Sequence, residues 1–144
     1  MEFHWKRFEE LSGAEVYEIL KARSAVFMME QEIRYLDMDD VDYRSFHGFI
    51  TDDGAVVAYL RAFADEAPQT LHIGRVLTTR RGVGLGRELM ERSIEMLRRE
   101  NDCHKLVLHS QVGAAGFYEK LGFCAVGGEF TEAGIPHVAM ERLI

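Results

Sequence analysis

Between residues 75 and 87 the chain reads Arg-Val-Leu-Thr-Thr-Arg-Arg-Gly-Val-Gly-Leu-Gly-Arg, with glycines at alternate positions and four arginines unopposed by any acid. Residues 71 to 78 before the glycines read as a strand. After them, Leu85 to about Glu100 carries an apolar stripe at helical spacing: Leu85, Leu89, Ser93, Met96 and Leu97, with Met90 and Ile94 beside it. A glycine loop at a helix mouth has a specific physical use. Glycine admits a ligand close to the backbone and reaches φ > 0 without steric cost. The helix start adds unpaired N–H groups and partial positive charge. A phosphate or pyrophosphate is the natural occupant; a tight turn with incidental arginines is the alternative. A Walker loop needs Gly-Lys-Ser/Thr, and here Gly86 is followed by Arg87-Glu88. A Rossmann fingerprint needs a glycine at the sixth position, which is Arg87 counted from Gly82 and Leu89 counted from Gly84.

The remaining pattern supplies the order of elements. Residues 2 to 8 alternate apolar and polar and predict a strand. Ser12 and Glu15 form a capping box, and Val16, Ile19, Leu20, Arg23 and Phe27 continue a helix at its proper spacing. Strand-like runs at 46–51 and 55–63 meet at Asp52-Asp53-Gly54, a hairpin signal. Beyond the long helix come a short strand from Lys105 to Leu108, a short helix from Gly113 to Leu121 closed by Gly122, and two strands near 123–130 and 136–143. Glu88–Arg92 and Glu95–Arg99 are spaced as i,i+4 pairs on the long helix. The order βα-βββ-α-β-α-ββ predicts an α+β fold, a mixed and mostly antiparallel sheet of about seven strands with helices on both faces.

Composition excludes several classes. The 144 residues suit one domain, 1–144, and the formal charge of −7 opposes a general nucleic-acid binder. No apolar run approaches the ~20 residues of a membrane span. Cys103 and Cys124 make no CxxC or disulfide framework and read as the reduced thiols of a cytoplasmic protein. The histidines at 4, 47, 72, 104, 109 and 137 are scattered, so no metal site is expected. The charge is unevenly placed: residues 75–87 carry +4, whereas residues 30–42 hold six carboxylates against Arg34, a local −5. Met28-Met29 and the Phe and Tyr positions read as core or as an apolar substrate wall, with core the commoner reading of such residues.

The loop Arg81-Gly82-Val83-Gly84-Leu85-Gly86 fits R-x-x-G-x-G. It resembles the pyrophosphate loop of the GNAT (Gcn5-related) N-acetyltransferases. Gly116-Phe117-Tyr118-Glu119-Lys120-Leu121-Gly122-Phe123 resembles that family's second signature, and the spacing and element order agree. Leu20 to Phe27, Glu30-Gln31, Tyr35 with Asp37 and Asp39, Ile73 to Val76, Ser110-Gln111 and Gly134 to His137 resemble the ElaA-like branch, so the likeness covers nearly the whole chain. One departure is the connection Thr78-Thr79-Arg80-Arg81, about two residues shorter than is usual in the family, which leaves the strand's register open by a residue or so.

The resemblance implies direct transfer of acetyl from acetyl-CoA to a primary amine of a small molecule, peptide or protein, within a ternary complex. By match, Val76, Leu77 and Thr78 pair with the pantetheine arm, Arg81 to Arg87 (Arg81, Gly82, Val83, Gly84, Leu85, Gly86, Arg87) cradle the pyrophosphate, and Gln111 stands where the family has an Asn. Tyr118 is implied as general acid; a phenol of pKa ~10 suits a thiol leaving group of ~8.5. The base stays open among His72, His109, His137 and Glu30, or a water chain. The acidic stretch 30–42, in the region over the acceptor cleft, suits a cationic amine or is a solvated loop. A homodimer is compatible with this reading. The competing expectations are a non-catalytic acyl-CoA-binding module and a nucleotide-binding regulatory domain.

Overall fold

The computed structural model describes residues 1–144. Alternation in Glu2–Arg7 makes β1, and a tight turn at Phe8–Glu10 leads to α1, Gly13–Arg23. The capping box closes in both directions: Glu15 N–H donates to Ser12 Oγ (3.1 Å) and Ser12 N–H to Glu15 Oε1 (2.9 Å). The helix does not run on in the α form to Phe27, as the spacing predicts. Ser24–Glu30 winds instead as π-helix, and its end is tied by Gln31 N–H to Val26 O at 3.0 Å. Widened turns of this kind recur at functional sites.

A coil and a short turn at Val41–Arg44 precede β2 (Phe46–Asp52) and β3 (Ala55–Ala64). Asp53 (φ 52°) and Gly54 (φ 82°) both lie in the left-handed region, the geometry of a two-residue hairpin turn that Asp-Gly favours. Then follow β4 (Thr70–Thr78), α2 (Leu85–Glu100), β5 (Lys105–Gln111), α3 (Ala115–Glu119), β6 (Cys124–Glu132) and β7 (Ile135–Leu143). The sheet order is β1-β2-β3-β4-β5-β7-β6, so the last strand inserts between β5 and β6. Every neighbouring pair is antiparallel except β4 and β5, which the crossover helix α2 makes parallel.

The two faces carry separate apolar clusters. Leu85, Leu89, Met90, Ile94 and Leu97 of α2 bury against Ile50, Leu60, Ala62, Ile73, Leu106 and Leu108. Ile19, Ala22 and Val26 cover Phe49, Val56, Tyr59 and Leu77 on the opposite face. Of the two expected ion pairs on α2, Glu95–Arg99 forms (3.1 Å) but Glu88–Arg92 does not. Arg92 lies over the Phe3 ring at 4.6 Å, and Arg87 pairs with Glu91 at 2.7 Å. Cation–π contact with an otherwise wet ring competes well with a surface ion pair.

Two irregularities of β4 position the site. Its pairing with β5 covers only Thr70–Ile73 against Lys105–Leu108, after which the strands part. Against β3, Tyr59 faces Leu77 but Arg61 faces Gly74, so β4 holds one extra residue, and Arg75 at the bulge has φ 54°.

Candidate active site

The parting of β4 and β5 opens a cavity of about 1090 Å³ through the sheet, lined from both faces. Val76, Leu77 and Thr78 form one lip and His109, Ser110 and Gln111 the other. Thr79 N–H donates back to Val57 O of β3 at 2.9 Å. Successive strand N–H groups point to opposite edges, so that of Thr78 is directed into the gap. At the mouth of α2, Gly82 (φ 73°) and Gly84 (φ 77°) are left-handed, and no protein atom lies within 4 Å of where a Cβ would project. No side chain caps this helix; its first internal bond runs from Glu88 N–H to Gly84 O (3.1 Å), so the N–H groups of Leu85, Gly86 and Arg87 remain for a ligand. That is an anion cradle by construction. Val83 points away from it and is exposed.

The arginines beside the loop are not a bare positive patch. Arg80 pairs with Asp52 at 2.6 Å, Arg81 with Glu30, and Arg87 with Glu91, all at exposed positions. Exposed pairs are weak and solvent-screened, so these side chains remain available to an anion at the helix mouth. Arg75 is held differently, as described below.

Tyr118, on α3, borders the cavity from the α2 side, packed edge-on by Phe117 (5.0 Å) and Phe123 (6.0 Å). Burial pushes its phenol up to about 12, so the hydroxyl keeps its proton across the physiological range. Gln111 Nε2 donates to Gln31 Oε1 at 3.0 Å, linking β5 to the end of the π-helix across the opening.

On the α1 side, three histidines from three strands gather. His72 stacks on Phe63 (5.0 Å) and meets His109 edge-on (4.9 Å). His109 Nδ1 lies 2.9 Å from Glu132 Oε1, and Glu132 Oε2 lies 3.7 Å from His137 Nε2. A carboxylate can only accept, so the Glu132 contact places the His109 proton on Nδ1 and leaves Nε2 with a free lone pair. His137 Nδ1 donates to Ile135 O at 2.7 Å. Burial, and then the neighbouring His109, hold His72 down at about 4, so it stays neutral.

Above this face the acidic coil is neutralised by buried arginines. Arg23, 1% exposed, donates from Nε to Asp37 Oδ2 and from Nη1 to Asp42 Oδ1, each at 2.7 Å. Arg61, 3% exposed, grips Asp39 with two bonds of 2.7 Å. Arg75, on the bulge, donates to Asp37 Oδ1 at 2.8 Å. The Arg61 hydrogen bonds hold the Asp39 carboxyl at about 2. His47 completes the tie, donating from Nε2 to Asp42 O (2.9 Å) and accepting from the buried Tyr59 hydroxyl at Nδ1 (2.7 Å).

The acetyltransferase (GNAT) domain model matches residues 11–144. The chain belongs to the GNAT family. Within it, the chain sits in the ElaA-like branch: ElaA of Escherichia coli is 34% identical over 140 residues, covering 92% of this chain and 90% of that one. The crystal structure of E. coli ElaA superposes with a TM-score of 0.91, covering 98% of each chain at 30% identity. An acyl-CoA N-acyltransferase from Pseudomonas aeruginosa superposes with a TM-score of 0.89, covering 99% of each chain, also at 30% identity. The UPF0039 protein sll0451 of Synechocystis sp. is 37% identical over 140 residues, covering 94% of this chain and 91% of that one. The fold is therefore the GNAT acyl-CoA N-acyltransferase fold, and proteins of this family bind acyl-CoA.

Set in the GNAT frame, the residues singled out from sequence divide. Val76, Leu77, Thr78, Arg81, Gly82, Gly84, Leu85, Gly86, Arg87, Gln111 and Tyr118 all line the one cavity, with His72, His109 and His137. Val83 and Glu30 do not; Glu30 is spent on Arg81, away from the histidines. The charge reading also needs correction. Asp37, Asp39 and Asp42 are engaged by Arg23, Arg61 and Arg75, so the −5 of residues 30–42 is not an open anionic surface, and Arg75 serves the coil rather than the anion cradle. Met28 and Met29, which read as core or as an apolar substrate wall, are both exposed rather than core, and Met28 lines the cavity. Glu132 ends β6 and meets His109 of β5 across the inserted β7, a juxtaposition with no local sequence signal. Arg61 was hidden inside an apolar run, where nothing local signals a buried guanidinium. No helix is long and apolar enough to cross a membrane.

Proposed function

We propose that the protein transfers the acetyl group of acetyl-CoA directly to a primary amine while both substrates are bound. The observation that carries this reading is the convergence of Tyr118 and the His109–Glu132 pair, from opposite faces of the sheet, on one opening between β4 and β5. The segment Val76, Leu77 and Thr78 pairs with an extended pantetheine arm along the lip, and a backbone N–H there polarises the thioester carbonyl. The glycine cradle and the start of α2 take the pyrophosphate. His109 Nε2 removes a proton from the ammonium form of the acceptor. The amine nitrogen then attacks the carbonyl carbon, the C–S bond breaks, and the departing thiolate takes the Tyr118 proton. The new amide nitrogen gives up its second proton, which returns through water to the Tyr118 phenolate. His72, being a weak base, lines the path rather than accepting that proton. Transfer within one complex needs the two substrates side by side, which an opening bordered from both faces permits.

The test is thiol release from acetyl-CoA over a panel of amines, with coenzyme A affinity measured in parallel. Turnover with at least one amine supports the reading. Tight coenzyme A binding with no turnover for any amine would convert the protein into an acyl-CoA-binding module.

A further inference from the structure

The acceptor end of the cavity has a composition that selects among amines. Only two carboxylates line the whole cavity, Asp37 and Glu132. Asp37 is already held by Arg23 at 2.7 Å and Arg75 at 2.8 Å, which leaves Glu132, contacted by histidines alone. Arg61 and Arg75 line the same side, each already paired with aspartates of the coil, so a second positive charge on the acceptor would meet no free carboxylate. The other feature is apolar. Met28, Tyr35, Leu36 and Met38 line the cavity from the π-helix and the coil, yet are 53%, 67%, 77% and 52% exposed. Ile33 lies beside them, and Phe63 carries the apolar surface down to its stack on His72. Large side chains left in water along a cleft that leads to the reacting end mark a surface that a ligand covers. Two methionines among them add adaptable, polarisable contact.

We infer that the acceptor is a monoamine with an apolar body, an alkyl or arylalkyl amine, whose nitrogen reaches the Glu132–His109 pair while its body covers Met28, Tyr35, Leu36 and Met38. The inference rests on the acetyl-transfer reading for its chemistry, but its recognition part stands on the cleft itself. It narrows the cationic amine that the acidic coil suggests to one with a single charge, because the coil's aspartates Asp37, Asp39 and Asp42 are occupied from within.

The test has two arms on the full chain. In the first, acetyl-CoA turnover is measured with propylamine, hexylamine, phenethylamine, putrescine and spermidine. The kcat/KM should rise from propylamine to hexylamine and exceed that of spermidine by about tenfold or more. Leu36→Glu, at a position too exposed to disturb the core, should cut the hexylamine value by about tenfold with coenzyme A affinity unchanged. In the second arm, the same amines are titrated calorimetrically into protein saturated with coenzyme A, which reads recognition without chemistry. Binding of hexylamine and phenethylamine that Leu36→Glu weakens supports the inference even if no thiol is released, a result that would remove the transfer reading alone. Preference for spermidine or putrescine, a flat response along the alkyl series, or no amine binding in the second arm overturns it.

Discussion

Tyr118 and Gly84 show how single positions divide labour at the opening. Burial raises the Tyr118 phenol to about 12, so below that pH it is a donor and not a base. Tyr118→Phe keeps the ring packing against Phe117 and Phe123 and deletes only the proton. The expected outcome is a fall in kcat of ~100-fold with little change in coenzyme A affinity, since general acids contribute on that order; stopped-flow thiol detection beside equilibrium binding reads both. In the proposed mechanism Gly84 acts on binding instead. Its φ of 77° suits no β-branched side chain, and a Cβ there would project into open space rather than into protein. Gly84→Val should therefore weaken coenzyme A by tenfold or more, the equivalent of losing charge-assisted N–H bonds worth ~1.5–3 kcal/mol. An unchanged dissociation constant would mean that the helix mouth does not hold the pyrophosphate.

Elements dock here with little slack, and the contact of α2 with β2 exposes it. A Cβ on Gly48 would lie 2.7 Å from Ser93 Oγ and 3.0 Å from the Trp5 ring. Gly48→Ala should cost ~1–3 kcal/mol in urea unfolding. Ser93 Oγ is buried without a hydrogen-bond partner, so Ser93→Ala should be neutral or stabilising by up to ~1 kcal/mol and should lessen the cost of Gly48→Ala in the double variant. Strict additivity of the two changes would show that the clash is with Trp5 alone. Such elements were largely legible in sequence because their signals are local: the capping box at Ser12, the Asp53-Gly54 turn and the apolar stripe of α2 each act within a few residues. The site was legible only where a motif is contiguous, as in the glycine loop and the Gly116–Phe123 segment. The Glu132–His109 pair spans 23 residues and depends on β7 entering the sheet out of order. The pairing of Arg23 and Arg61 with the acidic coil likewise depends on how α1 lies across β3. Periodicity placed Arg23 on an apolar face without saying what would neutralise it.

At the scale of the whole molecule, acid should loosen the structure in two stages. His72 is held at about 4, below the ~6.5 of an unfolded histidine. Its contribution is present above pH ~6.5 and is lost as pH falls toward 4, because the unfolded chain binds the proton first. Across that window stability should decline with a slope approaching ~1.4 kcal/mol per pH unit from this group, and His72→Gln should flatten it. Asp39, held at about 2 chiefly by Arg61, acts lower: its contribution is present above ~3.9 and disappears toward pH 2, as the coil loses its tie to β3. Urea midpoints from pH 8 to pH 2 check both stages; a flat profile between 6.5 and 4 would show that His72 is not buried as described. The short pairing of β4 with β5 has a mechanical meaning as well. Four residue pairs, the fewest of any neighbouring strands, join β1–β4 to β5–β7 within the sheet, and α2 spans the seam by packing on Ile73 of β4 and on Leu106 and Leu108 of β5. Under the proposed function, an extended pantetheine arm laid along the open edge would add the hydrogen bonds that β4 and β5 do not make to each other, so cofactor binding should stiffen the molecule at this seam.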